Sequence, residues 1–371
     1  GAEVIKVEEP GVGDEARRLE PFLDDLPGPE RSGLFLYLNA NKLGVTLNLN
    51  IPTGRKIFRE LVRDADILVE NHPPSFFSDL GLDYESLREL DPRLIVASIT
   101  PFGCSGPYRD YRAYDLNTYH IGGFGYPGGS PEPGTTPLKA GGRQADFVAA
   151  ANGAVGAMIA LYGQRATGRG QHLDVSTMEC IASMQETWVE KFTYLGLENL
   201  RLGRRSIGPG DIFPCKDGFI QYFAIEEAQW IRFVEVMGNP DWAHSELFKD
   251  RDSRTQYWDA LKPLITEWTM ERTKEEIVQS CQANRVPFAP VNNMADLANS
   301  QHLTARQFFV EIDHPEAGRI RYPSSPCKLE KTPWQVIRPA PLLGQHNEEI
   351  YCHRLGYGRE DLAKFAQAGI I

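Results

Sequence analysis

The first half of the chain alternates between short apolar runs and stretches whose apolar residues recur every three or four positions. Residues 1–8 carry Val4, Ile5 and Val7 and read as a short strand ending in a Pro10-Gly11-Val12-Gly13-Asp14 turn. After a proline-rich loop over 21–29, an apolar stretch at 34–38 leads through Asn39-Ala40-Asn41-Lys42 to an alternating strand over 44–49. Ile57, Phe58, Leu61 and Val62 at helical spacing predict a helix over 53–64, and 65–71 reads as a buried strand. A helix over 84–90 then leads into a strand over 94–99. Strands alternating with helices at this spacing predict parallel βαβ units with right-handed crossovers, hence an α/β fold around a doubly wound parallel sheet. A strand that opens the chain and ends in an acidic, glycine-rich turn is expected to follow a further βα unit, which this sequence lacks.

In such a sheet ligands gather beyond the carboxyl ends of the strands. That directs attention to 8–14, 70–74 and 100–107. The stretch 108–142 is irregular and rich in Gly-Gly and Pro-Gly pairs, which predicts a long functional loop. A helix over 146–165 follows, and its Ala150, Gly153, Ala154 and Ala157 leave room for another backbone to pack close. A turn at 167–170, a strand over 171–175 and a helix over 177–195 complete the pattern. Character changes near 196. Arg201, Arg204 and Arg205 cluster before Gly208-Pro209-Gly210, and Trp230, Trp242, Trp258 and Trp268 fall in a region of short helices after a strand over 218–223. The division read from this is a large domain over 1–195, a smaller α+β domain over 196–322, and an extended return over 323–371 that ends in a helix over 359–368.

Composition narrows the partners. The 371 residues hold 39 Lys+Arg against 50 Asp+Glu, a formal net charge of −11, which argues against a nucleic-acid or anionic-membrane surface spread over the whole chain. No window of 18 uninterrupted apolar residues occurs, so no membrane-spanning helix is expected. The six cysteines (104, 180, 215, 281, 327 and 352) form no CxxC pair and no secretory leader is visible. They read as reduced thiols in a cytoplasmic protein. The eight histidines show neither HExxH nor HxH spacing, so no metal is expected. Neither a GxxxxGK[ST] nor a GxGxxG is present to signal a nucleoside triphosphate or dinucleotide, and no GxSxG marks a serine nucleophile.

The residues left to carry chemistry are few. Asp146 follows Gly141-Gly142-Arg143-Gln144-Ala145 at the start of a helix. Aspartate is favoured there as a cap, and the same helix terminus would stabilise a carboxylate nucleophile able to form a covalent acyl intermediate. Tyr114-Asp115 offers a hydrogen-bond donor and a second acid, or an anchor and a loop cap, and Arg112 just before them could meet a phosphate. His120 is a weaker acid–base candidate. The Arg201/Arg204/Arg205 cluster is more often a solvated face than a ligand site.

Taken in order, these segments resemble the family III CoA-transferases, which include the α-methylacyl-CoA racemases. The markers are GAEVIKVE at 1–8, Gly13-Asp14, Asn41-Lys42, Glu70-Asn71, Leu80-Gly81-Leu82, Gly103 with Ser105-Gly106-Pro107, Tyr114-Asp115, Asp146, TGRGQ at 167–171, Val286-Pro287 and Ala340-Pro341-Leu342 with Leu343-Gly344. The resemblance runs the length of the chain and lacks the family's opening strand and helix. It implies a Rossmann-like large domain built from both ends of the chain, an inserted smaller domain, and two subunits interlocked as a homodimer. It also implies a CoA-transferase that moves CoA from an acyl-CoA to a carboxylic acid, with Asp146 forming aspartyl anhydride and aspartyl-CoA thioester intermediates. Coenzyme A enters as substrate, not as a bound cofactor, and the resemblance places Lys42, Leu47, Asn71, His72 and Arg112 against it.

Racemases of the family carry His-Asp where this chain has Tyr114-Asp115. Tyrosine, with a pKa near 10, is a poor base at neutral pH, so the pair favours transfer over racemisation. A racemase or epimerase and a non-catalytic CoA-binding subunit are the alternatives. Basic residues that other members direct at CoA phosphates are replaced here by Glu9, Asn50 and Asp79, which leaves Lys42 and Arg112 for that role. The family's glycine loop appears as Ile207-Gly208-Pro209-Gly210, and Tyr126, Trp188 and Phe213 are candidate acyl-pocket residues.

Overall fold

The computed structural model describes residues 1–129, 134–198, 210–223 and 226–371. It divides into two compact units: Gly1–Phe124, Ala140–Gln185 and His302–Ile371 in the first, Gly125–Lys139 and Glu186–Gln301 in the second. Arg201, Arg204, Arg205, Pro133 and residues 207–209 lie outside the described residues.

The first unit is built on parallel strands, as the alternating pattern predicts. Strand β1 (Val4–Glu8) pairs with β2 (Lys42–Thr46), and β4 (Ile95–Thr100) lies between β3 (Ile67–Glu70) and β5 (His172–Ser176). Hydrogen bonding among the described residues divides these five strands into two parallel blocks, not one continuous ladder. Helices follow the strands: α1 (Gly33–Leu38), α2 (Pro52–Arg63), α3 (Pro74–Asp79), α4 (Tyr84–Arg88), α5 (Asp115–Ile121), α6 (Gln144–Thr167) and α7 (Thr177–Ser183). The apolar stretch at 34–38 is helical because Ser32 accepts from the Phe35 N–H and starts α1. Proline begins α2, where its fixed φ suits the first turn, and Ile57, Phe58 and Val62 turn inward. They pack with Leu43 and Val45 of β2, with Leu47 just after it, and with Leu94 and Val96, in a core closed by Ile350 and Tyr351. At about 1.5–3 kcal/mol per buried aliphatic or aromatic side chain, this cluster is the main stabilising feature of the unit.

The proline-rich tail returns to the same strands. Asn347 accepts from the Thr46 N–H at 2.9 Å, Tyr351 donates to the Thr46 carbonyl at 2.8 Å, and Asn41 caps the Ile337 N–H at 2.7 Å. The antiparallel hairpin of Phe309–His314 and Gly318–Pro323 also belongs to this unit, because Ile312, Ala317 and Tyr322 bury against Phe35, Leu36 and Ala340. The sequence reading grouped 302–322 with the smaller domain; the apolar contacts of the hairpin run to α1 instead.

Three local expectations change. The stretch 108–142 contains α5, whose Thr118 and Tyr119 are buried. The helix read over 177–195 breaks after α7, and a second helix runs Glu186–Leu195. By length and composition alone α6 is apolar enough to cross a bilayer. No uninterrupted apolar run marks it in the sequence because Asn152 and Gly153, Gly156 and Gly163 fall within it. Its inner face, Ala145, Ala149, Gly153, Ala157 and Ala160, is buried in the unit.

The second unit has an antiparallel sheet of β6 (Gly210–Cys215), β7 (Gly218–Phe223) and β8 (Phe288–Val291). Its aromatic core joins Phe213, Tyr222, Trp230, Phe233, Trp258 and Phe288 with Leu261 and Ile265.

Candidate active site

The site is assembled from the loop after β4, helix α5 and the start of α6, all in the first unit. The exit of β4 is pinned where the Cys104 N–H donates to both carboxylate oxygens of Asp174, at 2.9 and 3.0 Å. Burial, reinforced by the Asp174 charge, pushes the Cys104 thiol up to about 12, so it is no thiolate nucleophile at neutral pH.

Helix α6 lies close over the sheet because it is lined with small residues. A Cβ on Gly153 would stand 2.7 Å from Ile99 of β4. The helix does not cap itself. Arg143 occupies the cap position without a side-chain cap, and the orphan donors are met from 30 residues away. Oδ1 of Asp115, 8% exposed, accepts from the N–H groups of Ala145 at 2.8 Å and Asp146 at 3.2 Å. A buried carboxylate thus holds the first turn of α6 by charge-assisted hydrogen bonds and complements the positive end of the helix.

That leaves the Asp146 side chain free to face outward. It is 42% exposed, and Oδ2 accepts from Nε of Arg143 at 2.8 Å. Gly141 and Gly142 precede the pair, and Gly142 has φ +78°, a conformation glycine adopts without strain. Tyr114 stands directly before α5, 71% exposed, its backbone N–H donating to the side chain of Asn117 at 3.0 Å. The structure therefore brings Asp115, Arg143 and Asp146 together, with Tyr114 adjacent in the chain. His120 ends up exposed in the last turn of α5, edge-on to Tyr119.

The other sequence candidates occupy different surroundings. Arg112 is exposed and, among the described residues, has no hydrogen-bond or ion-pair partner, which suits a cation awaiting an anion. Asn71 and His72 follow the carboxyl end of β3, both exposed. The His72 ring stacks on Phe76 at 4.2 Å, and loss of solvent on that face lowers its pKa below the usual value despite the opposing charge of Glu70. Lys42 opens β2 and donates to Asn39 at 3.0 Å; burial and the nearby Lys6 lower its pKa. Leu47 is 3% exposed within the core, and its N–H donates to the Glu8 carbonyl. In the second unit Tyr126 is exposed, whereas Phe213 is fully buried in the aromatic core. The described residues contain no group of His, Cys, Asp and Glu arranged to hold a metal.

Sequence reasoning passed over Arg143. Its i, i+3 spacing to Asp146 is the signal that could have found it. The cap from Asp115 leaves no such signal, since only the folded chain brings positions 115 and 145 together.

Parallel strands with covering helices define an α/β protein, one that carries a half-exposed carboxylate in the first turn of α6. Residues 1–347 match the family model described as CoA-transferase family III, and the chain belongs to that family of enzymes. Among its relatives are a formyl-CoA:oxalate CoA-transferase of Rhodopseudomonas palustris, 31% identical over all of this chain and 91% of the relative, and the beta subunit of a succinyl-CoA–L-malate CoA-transferase of Chloroflexus aurantiacus, 31% identical over all of this chain and 92% of the relative. A subunit of succinyl-CoA:(R)-benzylsuccinate CoA-transferase from Thauera aromatica is 33% identical over the same shares. All three are named for CoA transfer, not racemisation. A crystal structure of a CAIB/BAIF family protein from Brucella suis superimposes with a TM-score of 0.86 at 27% identity, covering 95% of this chain and 92% of the other.

Proposed function

We propose that this chain transfers coenzyme A from an acyl-CoA thioester to a free carboxylic acid through covalent intermediates on Asp146. The observation that carries this reading is the Asp146 carboxylate itself, exposed at the start of a helix whose first N–H groups are engaged by Asp115 instead. Oδ1 of Asp146 attacks the thioester carbon, the C–S bond breaks, and CoA leaves as thiolate. The thiolate then attacks the aspartyl carbonyl of the anhydride, releasing the donor acid and leaving an aspartyl-CoA thioester. The acceptor carboxylate attacks that thioester to form a second anhydride, and the returning thiolate takes the acceptor's acyl group. Each step exchanges one activated acyl bond for another, so no phosphoanhydride is consumed and no net proton moves.

Arg112, exposed and without a partner among the described residues, is the cation best suited among the candidates to meet a CoA phosphate, and His72 with its stacked ring offers a surface for the adenine or pantetheine. Tyr114 supplies a hydroxyl donor. Its replacement of histidine in the pair with Asp115 removes the second base a racemase needs.

The fold reading we propose with it is a Rossmann-like large domain interrupted by the second unit as a smaller inserted domain, in an interlocked homodimer. The outer face of α6 supports a second copy. Val155, Met158, Ile159 and Tyr162 are 60–80% exposed and lie together on one side of the helix. A contiguous apolar face of this kind marks an interaction surface.

The test uses formyl-CoA and succinyl-CoA as donors with oxalate, L-malate and (R)-benzylsuccinate as acceptors, a panel taken from the relatives' names. Incubation with the accepted donor and hydroxylamine should convert Asp146 to its hydroxamate, read by peptide mass spectrometry. Asp146→Asn should lose about 10³-fold or more in turnover. Full turnover by Asp146→Asn would overturn the assignment, and deuterium entering the substrate α-carbon without CoA transfer would favour a racemase.

A further inference from the structure

Arg143 stands where folding alone gives little reason for an arginine. It occupies the cap position of α6, at the positive end of the helix dipole, where a cation is unfavourable. The N–H groups that a cap would serve are already held by Asp115. Its one ion pair, to Asp146 at 2.8 Å, joins side chains 41% and 42% exposed, and such surface pairs contribute little stability. That pair uses only Nε. Among the described residues neither Nη nitrogen makes a hydrogen bond, so most of the guanidinium's N–H donors are uncommitted. The space beside Gly141 is open, with no atom within 4 Å of a Cβ built there.

We propose that Arg143 seats the carboxylate of the acceptor acid against Asp146. The proposal rests on the covalent reading of Asp146 and adds to it the group that recognises the second substrate. In the free enzyme Nε fixes Oδ2, leaving Oδ1 as the attacking atom. At the aspartyl-CoA stage Asp146 has lost its negative charge, Oδ2 is the thioester carbonyl oxygen, and the guanidinium has lost its counter-ion. The Nη donors then bind the incoming carboxylate. One of its oxygens bonds to the Asp146 carbonyl carbon, the C–S bond breaks, and the electron pair leaves on the CoA sulfur. The negative charge that passes through Oδ2 meets the Nε–H, and Arg143 stays protonated throughout. When the thiolate removes the acceptor's acyl group, Asp146 is again a carboxylate and the ion pair re-forms. Arginine suits this role because its planar fork matches carboxylate geometry and holds its proton at all relevant pH.

The experiment compares Arg143→Gln and Arg143→Lys with the unmodified protein, using succinyl-CoA as donor and oxalate or L-malate as acceptor. Arg143→Gln should raise KM for the acceptor about tenfold or more, the loss of a charge-assisted pair, while KM for succinyl-CoA stays within about twofold. Arg143→Lys should recover part of the acceptor KM. The borohydride-trapped adduct on Asp146, formed from succinyl-CoA with no acceptor present, should persist in both variants. Equal rises in the two KM values, or an unchanged acceptor KM, would overturn the role of Arg143 while leaving the Asp146 reading intact. Absence of the adduct from the unmodified protein during turnover would overturn both.

Discussion

Asp115 and Asp146 are chemically identical side chains given different tasks by their surroundings. Asp115 is buried with two backbone N–H groups on one oxygen, whereas Asp146 is open and held by one arginine nitrogen. Asp115 is therefore a positioning residue. Asp115→Ala should cost about 0.5–2 kcal/mol through the lost cap and speed hydrogen exchange at the amides of 145–147. Asp115→Asn keeps an acceptor oxygen and should retain most of that protection; equal protection in the alanine protein would remove the capping role. The cysteines give a second check at this scale. With the Cys104 thiol pushed up to about 12 and Cys281 buried, iodoacetamide at pH 7.5 should label exposed Cys327 first and leave Cys104 and Cys281 unmodified in the native protein, as read by mass spectrometry. Asp146 was legible in the sequence because a glycine-rich approach and a helix start leave a local mark. Its partner Asp115 was legible only as a candidate, since a cap supplied across 30 residues depends on tertiary structure.

At the level of elements, the βα alternation was readable because period-2 and period-3.6 patterns follow directly from strand and helix geometry. Helix α5 was hidden by the glycines and prolines around it, and the break after α7 has no proline or glycine to announce it. Close packing was equally invisible. Gly54 lies in α2, where alanine would be favoured by about 1 kcal/mol on helix propensity. A Cβ there would meet the backbone carbonyl oxygen of Asn48 at 2.0 Å. Gly54→Ala should therefore lower the melting temperature, by overpacking worth about 1–3 kcal/mol, and a rise would contradict the packing. Arg17 ties β1 to the tail from a fully buried position. Its guanidinium donates to both oxygens of Glu8, to Glu30 and to the Pro341 carbonyl, and lies 3.7 Å over the ring of Phe35. Arg17→Met leaves the Glu8 carboxylate buried without its partner and should cost about 3–5 kcal/mol in urea unfolding. A companion Glu8→Leu change should recover part of that loss.

For the molecule as a whole, composition excluded more than it identified, and the ordered set of motifs spread along the chain led to the family. The outer face of α6 carries the consequence for assembly. A second copy covering it predicts a particle of twice 41.6 kDa in light scattering, shifted toward one chain by Met158→Glu with Ile159→Lys. Two relatives are named as subunits, so a particle that forms only with a different chain is the contrary outcome.

The central claim is that Asp146 is bonded to the acceptor through one of the acceptor's own carboxylate oxygens, which stays on Asp146 when the acyl group leaves. The most direct measurement is turnover with an acceptor labelled by ¹⁸O in its carboxylate, followed by mass spectrometry of the peptide that contains Asp146. The account predicts that ¹⁸O appears in the Asp146 carboxylate and, after further cycles, in the released donor acid. Turnover that leaves Asp146 unlabelled would contradict it.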